Sequence, residues 1–451
     1  MKTIFITSLN PFITRNILFT DVFETLRKAP ATRLVIFCPD YKLDYFRGHF
    51  SAPNVIVEGI KPQQITKQDV FFRYVDASFI DNNSRYIHQR RELLRDKNYP
   101  RFLASRFLAR AGSLRWIQRL ARWVDLLTIQ KNKFAGFFDK YRPNLVFAPD
   151  IFHDDDVHFL AEAKRRKIKT VGMVRSWDNI TNKGLCRVKP DKLVVNNEIL
   201  KSEAVRYEDM RPDDVAVVGM PQTDYYLKET RTPRTEFFKR INLDPNKRLI
   251  MFSPHGNRFH DTDWQIMQIL KEARLNGELP ENVQFLVRFP PNDDVAMGNF
   301  KPDSHFFIDR PAKMFQEGIY RDQELDGLAM LHLADSLHYS ELVVTYNSSI
   351  IIDAAAFGKP SVGVAFDGWE KKPDIYRSVA RFMDYDHTQH ILKTGGLWIT
   401  RDRNELINAV STYLKNPKHN LENRQKIVDS QIWKFDGRAG KRIAEFIYSL
   451  A

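Results

Sequence analysis

Cysteine is nearly missing, with Cys38 and Cys186 the only two in 451 residues. Two thiols so far apart make neither a disulfide framework nor a C-x-x-C metal pair, and they fit a reducing compartment. No stretch reaches the ~18 consecutive apolar residues that a membrane span needs, so work at a bilayer is expected only from its surface. The opening MKTIFITSLNPFITRNILF has its apolar run broken by Asn10, Pro11 and Arg15, with no small-residue cleavage site after it, and does not read as a signal peptide. A cytoplasmic protein is expected, with peripheral contact on the inner face of the membrane. The loop after the first apolar run lacks G-x-G-x-x-G, which removes the usual dinucleotide fingerprint. Low-complexity tracts and short-period repeats are absent as well.

What remains is a well-supplied globular chain. Its composition is 43% hydrophobic and 12% aromatic, ample for two cores of ordinary size. The net charge is +13. The excess is concentrated, since residues 85–133 hold thirteen Lys/Arg against three Asp/Glu. An anionic partner is expected from this, whether phospholipid, a lipid-linked acceptor or, as the weakest reading, nucleic acid.

Thirteen short apolar runs punctuate the sequence. Seven lie in the first half, at 3–7, 34–37, 54–57, 145–147, 170–174, 193–195 and 215–218; six lie in the second, at 249–252, 285–288, 306–308, 342–345, 361–365 and 397–400. Most lack strict alternation, as strands buried on both faces do, and helical patterns separate many of them. That alternation predicts α/β architecture with parallel sheets. The pattern starts twice, at TIFITSLNPF and at LIMFSPHGNRF, with the charged, proline-bearing stretch Leu227–Lys247 between. The expected division is a first Rossmann-like domain over 1–228, with a helical basic insertion at about 83–134. A second such domain is expected over 246–425, followed by a C-terminal helix in 426–451.

Ligands of open parallel sheets bind at the carboxyl ends of strands, so the residues just after each run are the candidates. In VVTYNSSIIIDAAAFGKPSV, Ser348 and Ser349 fall after Asn347 at a helix start, where free N–H groups favour an anion, and Asp353 follows one turn later, suited to ribose hydroxyls. Arg288 at a strand end and His255 in the Pro254–Gly256 loop are expected to hold a diphosphate. In RSWDNITNKG, Trp177 offers an apolar face to an acceptor, Asn179 neighbours it, and Asp178 is the first candidate base. Asp155, in the acidic run Asp154–Asp156, is its rival, although that run also reads as a helix cap. Asn10 and Arg15 are further acceptor-side candidates. The stretch 101–127 interleaves arginines with Phe102, Phe107, Trp116 and Trp123, which suits either an anionic membrane surface or a helix with a solvated basic face.

The tyrosine–small–Ser-Ser–acid–Gly-Lys-Pro pattern at 346–360 resembles the donor site of GT-B glycosyltransferases, especially the CDP-glycerol glycerophosphotransferase-like group. SPHGNRF (253–259), VRFPPND (from Arg288) and FDGRAGKRI (435–443) are similar to that group's loops, and RSWDNITNKG looks like a motif of surface-polysaccharide proteins. One departure stands out, because the histidine expected before Pro290 is Phe289. The resemblance implies two Rossmann-like domains facing across a cleft and an enzyme that uses no metal or cofactor. It would move a sugar from a nucleotide-activated donor to a surface-glycan or lipid-linked acceptor. The alternatives it leaves are a CDP-alditol (glycerol or ribitol) phosphotransferase, a UDP-sugar 2-epimerase, and a non-catalytic nucleotide-sugar-binding protein.

Overall fold

The computed structural model describes residues 1–61, 66–228, 231–316 and 322–451. Each of the thirteen apolar runs is a strand. The first seven are β1 (Lys2–Thr7), β2 (Thr32–Pro39), β3 (Val55–Ile60), β4 (Leu145–Ala148), β5 (Lys169–Met173), β6 (Lys192–Val195) and β7 (Val215–Val217). They form one parallel sheet in the order β3-β2-β1-β4-β5-β6-β7. The remaining six are β8 (Arg248–Ser253), β9 (Val283–Arg288), β10 (Phe306–Asp309), β11 (Ser340–Thr345), β12 (Ser361–Val364) and β13 (Leu397–Thr400), in a second parallel sheet ordered β10-β9-β8-β11-β12-β13. Strand residues such as Ile4, Ile36, Phe147, Phe252 and Val344 are fully buried, as sheets covered on both faces require.

The chain divides into two compact units, Met1–Asp224 with Trp433–Ala451, and Tyr225–Ile432. Two details differ from the divisions read in the sequence. The stretch Leu227–Lys247 is not a bare linker: Phe237, Phe238 and Ile241 pack with Leu249 and Leu286, so its helix Arg234–Arg240 belongs to the second unit's core. Glu229 and Thr230 of that stretch lie outside the described residues. The terminal helix Ala439–Leu450 returns to the first unit, burying Ile443, Ala444 and Ile447 with Ile17, Val22 and Leu26. Gly440 permits this close approach, because a Cβ there would meet the Asp21 Cβ and the Val22 nitrogen at 3.0 Å.

Between β3 and β4 lie the helices Lys67–Ser78, Asn83–Asp96, Tyr99–Ala111 and Arg115–Thr128. Caps start three of them: Thr66 and Asp69 form a capping box, and Asn82 and Asn98 accept backbone N–H groups. The last helix is built inside out. Its buried side chains are Gln118, Arg122 and Asp125. Arg122 donates to Glu208 (2.7 Å) and to the Cys186 carbonyl (2.9 Å), while Asp125 accepts from Arg187, which also binds Asp69 at 2.8 Å. Its arginine stripe is therefore largely committed to protein carboxylates, and the apolar residues face out.

Candidate functional site

In both sheets the strand order reverses at one place, between β1 and β4 and between β8 and β11. Loops diverge there at the carboxyl edge, and ligands of such sheets bind in the gap. These two switch points gather most of the chemistry-bearing side chains.

At the first, β4 ends at Ala148 and Asp150 follows, 1% exposed. Its carboxylate accepts from Arg175 Nε (2.8 Å) and lies 3.6 Å from Lys183 Nζ. Burial alone would raise its pKa, but Lys183 and Arg175 outweigh that and hold the carboxyl well below the usual range. The helix Asp154–Arg165 begins here, and its three leading acids go separate ways. Asp154 pairs with Arg73, Asp155 with Lys133 at 2.6 Å, and Asp156 accepts the hydroxyl of Thr7 at the end of β1. His153 Nδ1 stands 3.3 Å from Asp156 Oδ2. Burial pulls the His153 imidazolium down, yet Asp156, with Asp150 and Asp155 behind it, raises its pKa above the ordinary histidine value. A carboxylate close beside one ring nitrogen of a histidine is an acid–base arrangement, although Nδ1 itself is buried without a hydrogen-bond partner among the described residues. In the sequence this acidic run reads as a helix cap with Asp155 a candidate base; the spacing of three between His153 and Asp156 across a helix start is the signal for the pair found here.

The remaining first-unit candidates are distributed unevenly. Asp178 accepts from Ser176 Oγ (2.6 Å), Asn182 Nδ2 (3.2 Å) and Asn179 Nδ2 (3.3 Å), so its oxygens are already well supplied with donors. Trp177 is buried at 8% exposure, and Asn179 is buried beside it. The expected acceptor platform is therefore part of the packing, where a buried indole contributes more than an exposed one. Asn10 caps the turn Pro11–Ile13 by accepting from the Phe12 N–H at 3.1 Å. Arg15 donates to Asn16 (2.8 Å) and lies over the Phe12 ring, which Arg175 also approaches.

The second switch point is rich in aromatic rings, and its histidines are kept neutral. Between β8 and the helix Asp263–Leu275, the His255 ring runs parallel to Phe259 (centroids 4.2 Å) and to Tyr346 (5.8 Å), with Phe382 edge-on at 4.4 Å. Burial, with His260 and Arg381 nearby, pushes His255 far below the usual histidine range, and burial lowers His260 to about 3. Asp263 accepts the N–H groups of His255 (3.1 Å) and Gly256 (3.0 Å), and burial raises its pKa to about 7. Gly256 sits at φ +95°, where any Cβ would also strike Asp293, so the loop needs glycine. After β11, Asn347 Nδ2 is 2.9 Å from His387 Nε2. Asn347 Oδ1 and His255 Nδ1 are buried without a hydrogen-bond partner among the described residues. Ser348 is half-buried, Ser349 is exposed, and both precede the short helix Ile350–Ala356.

Two donor-side expectations change. Arg288 is buried in an ion pair with Asp309, which His332 also approaches at 3.2 Å, so this cation is neutralised within the sheet rather than presented to a diphosphate. Asp353 accepts the Tyr226 hydroxyl at 2.9 Å and is 8% exposed, so its carboxylate helps fasten the helix.

Residues 166–449 match the profile of the CDP-Glycerol:Poly(glycerophosphate) glycerophosphotransferase family. No curated protein matches the chain significantly. Among solved structures, the UDP-GlcNAc 2-epimerase from Neisseria meningitidis bound to UDP-GlcNAc is 13% identical, with a TM-score of 0.54 and 100% of each chain covered. A glycosyltransferase from Rickettsia africae is 10% identical with a TM-score of 0.50, covering 100% of this chain and 99% of that one. A variant of the wall teichoic acid polymerase TagF is 12% identical with a TM-score of 0.50, over 99% and 88% of the two chains. At such identities these likenesses establish the fold, two Rossmann-like units of the GT-B class.

Proposed function

The chain belongs to the CDP-Glycerol:Poly(glycerophosphate) glycerophosphotransferase family, and on that premise we propose that it transfers an alditol phosphate from a CDP-linked donor to a hydroxyl of a surface polymer or lipid-linked acceptor. The observation that carries the donor assignment is the pair of buried, unsatisfied polar atoms at the second switch point, Asn347 Oδ1 and His255 Nδ1. Buried polar atoms of that kind call for a partner. A nucleoside diphosphate supplies one, with Ser348 and Ser349 donating to its phosphates and the neutral rings of His255 and Phe259 beside it. The acceptor belongs to the first unit, at the charged edge around Asp150, Arg175 and His153. Its hydroxyl oxygen attacks the phosphorus that bears the alditol. The bond from that phosphorus to the bridging oxygen breaks, CMP leaves, and the hydroxyl proton passes to a base. His153, beside Asp156, is the base this arrangement favours; Asp178 is the alternative, less suited because three side-chain donors already occupy it.

A second reading keeps the site and transfers a sugar instead. It is favoured by the loop after β9, where Phe289 replaces the expected histidine and Arg288 is engaged by Asp309. The products separate the two. Phosphotransfer releases a nucleoside monophosphate, whereas glycosyl transfer from a sugar diphosphate donor releases a nucleoside diphosphate. Incubation with CDP-glycerol, CDP-ribitol and a panel of nucleotide sugars, followed by chromatography of the nucleotide, is expected to yield CMP. A diphosphate product would establish the second reading, and neither binding nor turnover of any donor would overturn both.

A further inference from the structure

The first unit holds a cavity of about 420 Å³, within the roughly 300–1,000 Å³ of small-molecule sites. Two of its lining residues, Asp191 and Asp214, immediately precede β6 and β7. It therefore lies at the amino edge of the sheet, whereas Asp150 and His153 follow β4 at the carboxyl edge. Trp123, Leu126, Val188 and Pro190 supply its apolar surface. An apolar lining with a few polar groups that fix orientation is the usual make-up of a ligand site.

The charge on this lining is already spent. Arg122 pairs with Glu208, Arg187 with Asp125, Lys164 with Asp191, Lys189 with Asp209 and Asp214 with Lys192. A phosphate gains little here, because each cation it could meet has a carboxylate beside it. Hydrogen-bonding capacity, by contrast, is left over. Arg122 is 8% exposed, and its Nη1 has no hydrogen-bond partner among the described residues. A buried N–H of that kind calls for an acceptor. A sugar ring answers all three features, with an apolar C–H face for an indole, no charge, and hydroxyls that both donate and accept. We propose that this cavity binds a neutral pyranose residue of a glycan, its C–H face on Trp123 and its hydroxyls on Arg122 and the Lys164–Asp191 pair. A sugar held there is not the one that reacts, since β6, at four residues and ~3.3 Å each, sets the two edges about 13 Å apart. It is a second hold on a polymeric acceptor, and a second point of attachment retains a chain without new contacts at the reacting end. That service to transfer rests on the transferase reading; the binding itself does not.

Saturation-transfer difference NMR on the full chain, with no donor present, tests it. The probes are the methyl glycosides of glucose, galactose and N-acetylglucosamine, with glycerol 3-phosphate as the charged comparison. At least one glycoside is expected to take up saturation through its ring protons and to bind more tightly than glycerol 3-phosphate. Trp123→Ala and, separately, Lys164→Met should each weaken that binding about tenfold, as the loss of a stacking face or of a hydrogen bond to a charged group predicts. Trp123 is 58% exposed and Lys164 lies on a helix surface, so the unfolding midpoint and the calorimetric affinity for CDP should stay unchanged. Three results would each overturn the proposal. No glycoside is bound; or a glycoside is bound equally by wild type and both variants, which would put the sugar elsewhere; or glycerol 3-phosphate is preferred and lost in the same variants, which would make the cavity a phosphate site.

Discussion

The two sheets share a topology and a switch point, yet their carboxyl edges are chemical opposites. At the first, Asp150 lies between Arg175 and Lys183, and His153 lies beside Asp156, so ionisable groups of opposite sign face one another. At the second, His255 and His260 are kept neutral by burial among Phe259, Tyr346 and Phe382, and Asp263 is pushed up to about 7. The same backbone thus supports a proton-handling edge in one unit and a stacking edge in the other. The difference lies in a few loop residues, which is where function resides on a shared scaffold.

The most severe way to break the contrast is to discharge the first edge. Asp150→Asn leaves Arg175 and Lys183 without their buried counter-charge, and unfolding in urea should show a loss of about 3 kcal/mol. The next largest effect falls on turnover. His153→Gln should lower kcat ~10²-fold or more with donor affinity unchanged. A base must be unprotonated, and the His153 pKa lies above 6.5. Wild-type kcat/KM should therefore fall as pH drops through that raised value, and the variant should lose this limb. If Asp178→Asn abolishes turnover instead, and the acid limb persists in His153→Gln, the base is Asp178.

Replacing Ser348 and Ser349 together with alanine probes the second edge. Donor affinity should weaken about tenfold, measured by calorimetry with CDP, the equivalent of one lost hydrogen bond to a charged group. The smallest effect sharpens the comparison by pH. The folded-state pKa of His260 is depressed to about 3 against an ordinary 6.5. Its contribution to stability is full above 6.5 and is lost as pH falls towards 3, since the unfolded chain takes up the proton first. Asp263 acts in the opposite sense, its raised pKa favouring the fold as pH falls below about 7. His260→Gln should therefore flatten part of the acid decline in the unfolding midpoint, and an unchanged slope would show that burial does not hold this histidine neutral.

Secondary structure is plainly written in the chain, because strands covered on both faces leave uninterrupted apolar runs; every one of the thirteen is a strand, with bounds shifted by at most three residues. The strand-end rule also brought His255, Asn347 and Ser348 to notice. What local pattern could not reveal was commitment to distant partners. Arg288 finds Asp309 across to the neighbouring strand, Asp353 finds Tyr226 from 127 positions away, and Arg119 finds Asp209 from 90 away. The polarity of Arg115–Thr128 was hidden for the same reason. Amphipathicity gives two faces but not which one turns inward, and here Glu208 and Arg187, far along the chain, draw the charged face in.

The return of the helix Ala439–Leu450 to the first unit has a consequence for how the molecule comes into being on the ribosome. The unit that contains residues 1–224 is completed only after the second is made: Ile443 and Ile447 close the core around Ile17 and Val22 once the helix Ala439–Leu450 emerges. Tyr225–Ile432 is by then fully synthesised and free to settle. A nascent chain stalled near residue 432 would therefore carry a finished second unit and an open first one, with the surface of Val22 and Leu26 uncovered for a chaperone to grip.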